Sequence, residues 1–388
     1  MALKDIFKFG SSKPTETTQS QDSTSKAGRE VFGSMSFAME TDLPVIKEMR
    51  GKDWVLYGED NLYPQYLQQL FNTSPTHQAI VKAKSLMVAG NGYTIQDSHL
   101  SETDKIQVQK LINQIQAQMY ETTMDEQMYG AFAYEIIWSL DFSKIIKVNR
   151  VDPACLRSGK MENNFVDCWY YSRNWADRQE EIKEIYSFEE SDGENFRQLL
   201  YVPCQTVSNE YYGEPSYLAA VNWINLESST GLYYKSLIEN GFNPSILVKF
   251  YRKPKSKEER DSIVSGLKKS YAGVKNAGKM LAIFSDGKDL APDVDPIATQ
   301  NVDKQFTIIA EQITQKIMIG ERVTSTEILG LATPGQLGSG DFDQKVKVFQ
   351  KLVIAPEQRT IEQTVNRILL TNGYNVDYKI IPFNFNDL

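Results

Sequence analysis

The chain has 388 residues, 41% of them hydrophobic and 24% charged. Those values suit a soluble globular protein with room for two or three domains. No apolar run approaches the ~18 residues a transmembrane helix needs and no signal-peptide core follows the start, so neither a membrane protein nor a secreted one is expected. There are two histidines, His77 and His99, and three cysteines, Cys155, Cys168 and Cys204. Metal centres and histidine-dependent catalysis are therefore poorly supplied, no cofactor is expected, and the unspaced thiols read as buried free cysteines in a reducing compartment.

Residues Ser11 to Arg29 are Ser/Thr/Gln-rich and lack apolar residues, so an N-terminal arm over 1–53 is expected to be largely disordered, with folded structure from about Trp54. "DNLYPQYLQQLF" and "SPTHQAIVKAKSLMVAG" each set polar or proline residues before a helical pattern, and the second closes on Gly90. "NGYTI" is a turn into a short strand. "SETDKIQVQKLINQIQAQM" predicts an amphipathic helix with Ile106, Leu111, Ile112 and Ile115 on its apolar side, and Ser101 with Asp104 resembles a capping box. "AFAYEIIWSL" and "KIIKVNRVDP" read as paired strands. "FVDCWYYS", "EIKEIYSF" and "RQLLYVPCQTV" extend the β region, with a hairpin tip expected around "EESDGEN".

Next comes "YYGEPSYLAAVNWINLESSTGLYYKSLIENGFNP", a long helix bracketed by two turns, whose apolar residues do not keep to one stripe. "SILVKFYRKP" is a strand, "SKEERDSIVSGLKKSYAG" a helix capped by Ser256, and "GKMLAIFSDG" a strand. From Ser245 to Lys279 ten basic residues face only Glu258, Glu259 and Asp261, so this module carries +7 and the rest of the chain -15. A basic module on an acidic body suits an acidic partner or DNA, although a solvated surface has the same composition. "VDKQFTIIAEQITQKIMIG" is a second long helix with Phe306, Ile309, Ile313 and Ile317 at helical spacing. "ERVTSTEILGLATPGQLGSGDF" is Gly/Thr/Ser-rich and irregular, as a mobile loop requires. A third long helix runs from Phe342 to Leu370 and should kink at Pro356. The chain ends in a turn and a strand. The whole reads as α+β, with two long helices that carry a small basic module away from the body.

"GVKNAGKM" nearly matches a phosphate-binding loop, but Met280 stands where a Ser or Thr should hold magnesium, and the motif precedes a strand rather than a helix. "GQLGSGD" follows no strand. No Ser/His/Asp or Cys/His set can be assembled, so an enzyme is not expected; an NTP-binding enzyme built on Lys279 is the weakest rival.

Four stretches, taken in order, carry a resemblance: the "YYGEP…NGFNP" helix, "YAGVKNAGKMLAIF", "QFTIIAEQITQKIMIG" and "FQKLVIAPEQRTIEQTVNRIL". Over roughly Tyr211 to Leu370 the chain resembles the portal proteins of long-tailed bacteriophages and related prophages. The resemblance implies an α+β portal fold. Its parts would be a wing over 54–212, stem helices over 213–241 and 301–320, and an αβ clip over 242–300. A tunnel loop would follow over 321–341, then a kinked spine helix over 342–371 and a C-terminal strand over 372–388 returning to the wing, with minimal crown.

It further implies a homo-oligomeric ring of about twelve subunits at one capsid vertex, assembled in the host bacterial cytoplasm and retained in the virion. Double-stranded DNA would be packaged through the ring by the terminase large subunit and later ejected. Major capsid protein, scaffold protein and a head–tail connector would be further partners. Thr333, Gln336, Ser339, Lys345 and Lys347 are then the candidate DNA-channel residues. Arg252, Lys253, Lys255, Lys257, Lys268, Lys269 and Lys275 are the candidate clip residues facing terminase or connector. Another virion structural protein, a minor capsid or head–tail adaptor protein, is the alternative.

Overall fold

The computed structural model describes residues 44–96, 100–177, 179–189, 195–204, 206, 208–239, 246–249, 256–259, 261–262, 265–266, 293–296, 302–323, 325–329 and 342–383. Regular structure starts ahead of Trp54: β1 (Ile46–Glu48) pairs antiparallel with β2 (Val55–Tyr57). The expected boundary at Trp54 is therefore too late. A three-residue "IKE" strand carries no periodicity of its own, and only its partner shows it to be one.

Two helices follow, α1 (Tyr63–Thr73) and α2 (Pro75–Ala89). Ser74 caps α2 by accepting from His77 N, with proline in the first turn, and Gly90 ends it at φ 71. β3 (Tyr93–Gln96) leads to α3 (Glu102–Gln116), capped by Ser101 as expected, with Leu111, Ile112 and Ile115 buried. Ile106 is instead 67% exposed, off the buried side. The helix predicted to run through Met119 breaks there, and a further helix, α4 (Met119–Tyr129), turns under the sheet. It buries Thr122, Thr123, Asp125, Glu126 and Gln127. A helix buried on nearly every side with polar residues shows no apolar stripe, which is why sequence patterning does not find it.

The body is built on a six-stranded sheet ordered β5-β4-β11-β10-β9-β6. Its strands are β4 (Ala131–Trp138), β5 (Ile145–Val151), β6 (Leu156–Ser158), β9 (Cys168–Tyr171), β10 (Lys183–Ser187) and β11 (Arg197–Pro203). A small ribbon of β7 (Met161–Glu162) and β8 (Phe165–Val166) lies between β6 and β9 in the chain. The β4–β5 pairing matches expectation, whereas the strands on either side of "EESDGEN" do not pair as the expected hairpin, and most of that tip lies outside the described residues. β11 takes β4 as its antiparallel partner over seven residue pairs, so β10 lies parallel to β11, over two pairs only.

β5 is an edge strand whose outward backbone groups are closed by side-chain amides. Gln114 accepts from Val148 N (3.1 Å) and donates to Ile146 O (3.4 Å). Gln118 accepts from Arg150 N (2.6 Å) and donates to Val148 O (3.2 Å). Asn372 does the same at both backbone groups of Ile145. Three amides thus stand in for a missing strand and leave no ladder for another chain to join.

A long helix, α5 (Val221–Glu239), leaves this body through a 3-10 turn at Leu218–Ala220. β12 (Ile246–Lys249) and β13 (Asp293–Pro296) pair antiparallel, and α6 (Val302–Gly320) returns, packed against α5. Ser256 accepts from Glu259 N at 3.2 Å, as a cap should. Most of the basic module, including the "GVKNAGKM" turn, lies outside the described residues. Of the apolar positions on α6, Ile313 and Ile317 are buried, but Ile309 is 38% exposed. A 3-10 turn, Thr326–Leu329, sits within the stretch read as irregular.

The last long helix is three segments: α7 (Phe342–Phe349), a π-helical turn (Gln350–Ile354) and α8 (Ala355–Thr371). β14 (Asp377–Ile380) then pairs antiparallel with β3. Cys155, Cys168 and Cys204 are free and partly buried.

Candidate functional site

The two long helices meet the body at one place, and it is built mainly on α2. The approach begins at "YYGEP". Tyr212 stacks on Tyr57 at 4.0 Å and donates to Val55 O (2.6 Å), and Tyr57 donates to Gly213 O (3.0 Å). Gly213 lies so close to Gly130 that a Cβ on it would sit 2.1 Å from the Gly130 carbonyl. Glu214 accepts from Ser208 N, Ser208 Oγ and Asn209 Nδ2 at 2.7, 3.2 and 2.9 Å. Glycine for contact and a buried carboxylate for the preceding loop are thus the physical content of "GE" in this turn.

The first turn of α2 then receives a carboxylate from each long helix. Glu227 of α5 accepts from Ser74 Oγ, Thr76 Oγ1 and Thr76 N, the last at 3.3 Å. Glu321, one residue past α6, lies 2.6 Å from His77 Nδ1, with both side chains buried. A helix N-terminus favours anions through its free N–H groups and its dipole, so both acids are well placed.

Further along α2, buried Lys84 bridges Glu321 (3.9 Å) and Glu357 of α8 (3.6 Å) and donates to Ser216 Oγ (3.4 Å). Gln358 donates to the carbonyls of Met87 and Val88, both at 3.2 Å. One helix therefore touches both stalk helices and the last long helix, chiefly by charged and polar contacts. The backbones also come close: a Cβ on Gly320 would lie 2.5 Å from the Ala220 Cβ.

The chain leaves α6 through Arg322 at φ 61, a left-handed conformation costly for a residue with a side chain. Its guanidinium donates to Leu352 O at 3.0 Å. Leu352 lies four residues before Pro356, so in a regular helix its carbonyl would await the N–H that proline lacks. Where the kink at Pro356 was expected, a π turn stands just before the proline, and Arg322 donates to a carbonyl of that turn.

The sequence marked the "YYGEP" turn and Pro356 and named His77 only as a scarce residue type, whereas Lys84, Glu227, Glu321, Arg322, Glu357 and Gln358 were not singled out by any pattern. The available signal was a polar side chain, His77 or Lys84, recurring on the side of α2 that also carries Ile80, Val81, Met87 and Val88. Of the candidate channel residues, Lys345 and Lys347 lie on α7. Lys345 is partly buried and 3.9 Å from Glu327, whereas Lys347 is exposed. Thr333, Gln336 and Ser339 lie outside the described residues. So do Arg252, Lys253, Lys255, Lys268, Lys269 and Lys275; Lys257 is exposed in a helical turn. Among the described residues no group of three metal-ligating side chains occurs, and no helix is long and apolar enough to cross a membrane.

No family model matches the sequence, and no curated protein matches it either. Solved structures do. A chain in the virion of a native gene transfer agent particle superposes with a TM-score of 0.54 at 12% identity, covering 82% of this chain and 83% of that one. A chain in the neck of the native particle, computed with C12 symmetry, gives 0.55 at 13%, covering 81% and 83%. This protein has the fold of that neck chain. The α+β architecture is therefore one that this chain shares with it over four-fifths of its length. A HK97 family phage portal protein from Corynebacterium diphtheriae superposes more loosely, with a TM-score of 0.46 at 13% identity over 81% of this chain and 95% of that one.

Proposed function

We propose that this chain is a portal-type virion protein, one subunit of a ring of about twelve through which double-stranded DNA enters and leaves a capsid. The observation that carries the reading is the fold shared with the neck chain over four-fifths of this chain, beside which stand the two long helices packed on one another, α5 and α6. The surface of those helices supports it. Leu226 and Leu232 on α5, and Ile308, Ile309 and Ile319 on α6, are 38–67% exposed on a single chain. Exposed apolar residues along a helix pair call for a cover, and neighbours in a ring supply one on both flanks.

The acidic net charge suits a sliding channel, because each fixed cationic contact to phosphate adds affinity through counterion release. In this reading 321–341 lines the narrowest point, where Thr333, Gln336 and Ser339 meet the duplex without reading its sequence, and Lys347 on the following helix adds a softer phosphate contact. The basic module over 242–300 meets the packaging terminase and then the connector. The wing faces capsid and scaffold proteins.

Electron microscopy of the purified protein tests the proposal: closed rings with an axial hole of duplex width are expected. A protein that stays monomeric at every concentration, and in the presence of capsid protein, refutes it. ATP turnover abolished by Lys279→Ala would favour an enzyme instead.

A further inference from the structure

The ribbon of β3 and β14 has two edges, and side chains close one of them. Tyr378 N donates to Asn366 Oδ1 (2.8 Å), Asn366 Nδ2 donates to Tyr378 O (3.2 Å), and Ile380 N donates to Glu362 Oε1 (2.9 Å). Tyr378 and Ile380 thus turn their backbone groups away from β3. In an antiparallel ladder the residues directly opposite them, Ile95 and Tyr93, turn theirs away from β14. Among the described residues nothing bonds the backbone of Tyr93 or Ile95 on that side. The β3 edge is therefore open, and an open edge is a template for another strand.

The floor beside this edge is apolar. Tyr93 and Ile95 share the half-buried face of β3. The Tyr93 hydroxyl meets Gln109 and Asn113 of α3. Ile106 lies one turn earlier on that side of the helix and is 67% exposed.

We propose that β3 takes a strand from a neighbouring copy of this protein, residues 34–39 of its N-terminal arm. The segment lies outside the described residues. Its sequence, "SMSFAM", alternates Met35, Phe37 and Met39 with Ser34, Ser36 and Ala38, the period of a strand with one apolar face. Main-chain bonds to Tyr93 and Ile95 would hold it, and the apolar side chains would cover that floor and set the register.

The reach of the chain decides which copy supplies it. Glu40 and Ile46 of β1 are six residues apart, about 20 Å at full extension. β1 pairs with β2, and β2 touches β6 at one edge of the six-stranded sheet, whereas α3 packs on β5 at the other. Crossing the five strand spacings between those edges takes about 24 Å before any depth is added. A copy's own segment falls short. A head-to-tail contact brings one flank of each copy to the opposite flank of the next, and the arm then crosses between them.

Fluorescence anisotropy tests the site, with a dye-labelled peptide of residues 33–41 titrated into the full chain at dilutions where sedimentation shows single chains. Binding with a Kd below ~1 mM is expected. Ile106→Asp, an exposed substitution that should leave the fold intact, and Phe37→Asp in the peptide should each weaken it at least about tenfold. Of two peptides N-methylated at Ser36 and at Phe37, one alone should lose binding, because alternate N–H groups of an added strand face β3. A photoreactive benzoylphenylalanine in place of Ile106, in assemblies mixed from 14N and 15N chains, tests the donor: products that join the two labels through residues 34–39 are expected. No binding by ~1 mM, no loss with Ile106→Asp, equal binding of the two N-methylated peptides, or assemblies without mixed-label products overturns the proposal. The inference rests on the proposed ring only for setting copies side by side. The peptide measurement on single chains stands without a ring, and closed rings that give no mixed-label product refute the arm exchange alone.

Discussion

Arg322 donates its guanidinium N–H to the carbonyl of Leu352 at 3.0 Å, across from the proline that interrupts the last long helix. The bond joins the first residues after the stalk to the π turn. It makes the two features interdependent, so a cycle of substitutions can measure the link. Arg322→Ala should destabilise the protein by about 1 kcal/mol, the usual net value of such a bond. Pro356→Ala restores the N–H that Leu352 would otherwise receive from its own helix. In that background Arg322→Ala should cost less, as read by thermal denaturation of the four proteins. Equal costs in both backgrounds would mean that the bond does not compensate for Pro356.

The packing of the end of α6 on the 3-10 turn that opens α5 depends on the absence of a side chain at Gly320. Gly320→Ala introduces a methyl 2.5 Å from the Ala220 Cβ, a distance that forces α6 away from that turn. Overpacking of this kind typically costs about 1–3 kcal/mol. Ala220→Gly should recover most of that loss in the double variant, measured by denaturant unfolding.

Glu321 lies buried between His77 and Lys84. Replacing one partner of a buried charge set leaves the others unpaired, at a cost of about 3–5 kcal/mol. Glu321→Gln should therefore lower the denaturation midpoint and speed hydrogen exchange in the first turns of α2 and the last turn of α6. An exposed control on α6, Gln315→Ala, should do neither.

Glu126 gives the joint a pH dependence of definite sign. Its pKa in the folded protein is raised, first by burial and then by Glu357, so the folded state holds a proton the unfolded chain releases. The resulting stability is fully present below the usual carboxylate pKa and is lost as pH rises toward the folded value. Glu126→Gln should melt above the wild type at pH 9, and the gap should close toward pH 5. A gap that widens on acidification would contradict the assignment.

Leu232 and Ile308 are 46% and 54% exposed on the stalk. Leu232→Asp with Ile308→Asp should leave the melting temperature of the single chain nearly unchanged while abolishing assembly, as read by sedimentation. Surface substitutions away from packed features usually stay within about ±0.5 kcal/mol, whereas the same charges between neighbours would be buried unpaired.

Much of the fold was legible because the elements carry their own punctuation. Ser74 and Gly90 bracket α2, Ser101 opens α3, and the alternation in "AFAYEIIW" with "KIIKVNRV" marks a strand pair. What failed was what lacks local pattern. α4 is buried and polar, β1 is three residues long, and the parallel placement of β10 beside β11 depends on which strand β4 takes first. The joint was hidden for a related reason. Glu227, Glu321 and Glu357 are ordinary acids on or just past a helix until the fold brings them to α2.

The sequence by itself determined that there would be a body, a stalk of two long helices and an interrupted last helix. Caps, prolines and hydrophobic spacing act within a few residues and survive in any surroundings. The tertiary structure decided how those parts hold together. A carboxylate's partner, a carbonyl freed by Pro356 and a glycine's contact across to Ala220 are set by distances between segments more than a hundred residues apart in several cases, and local spacing carries no record of them.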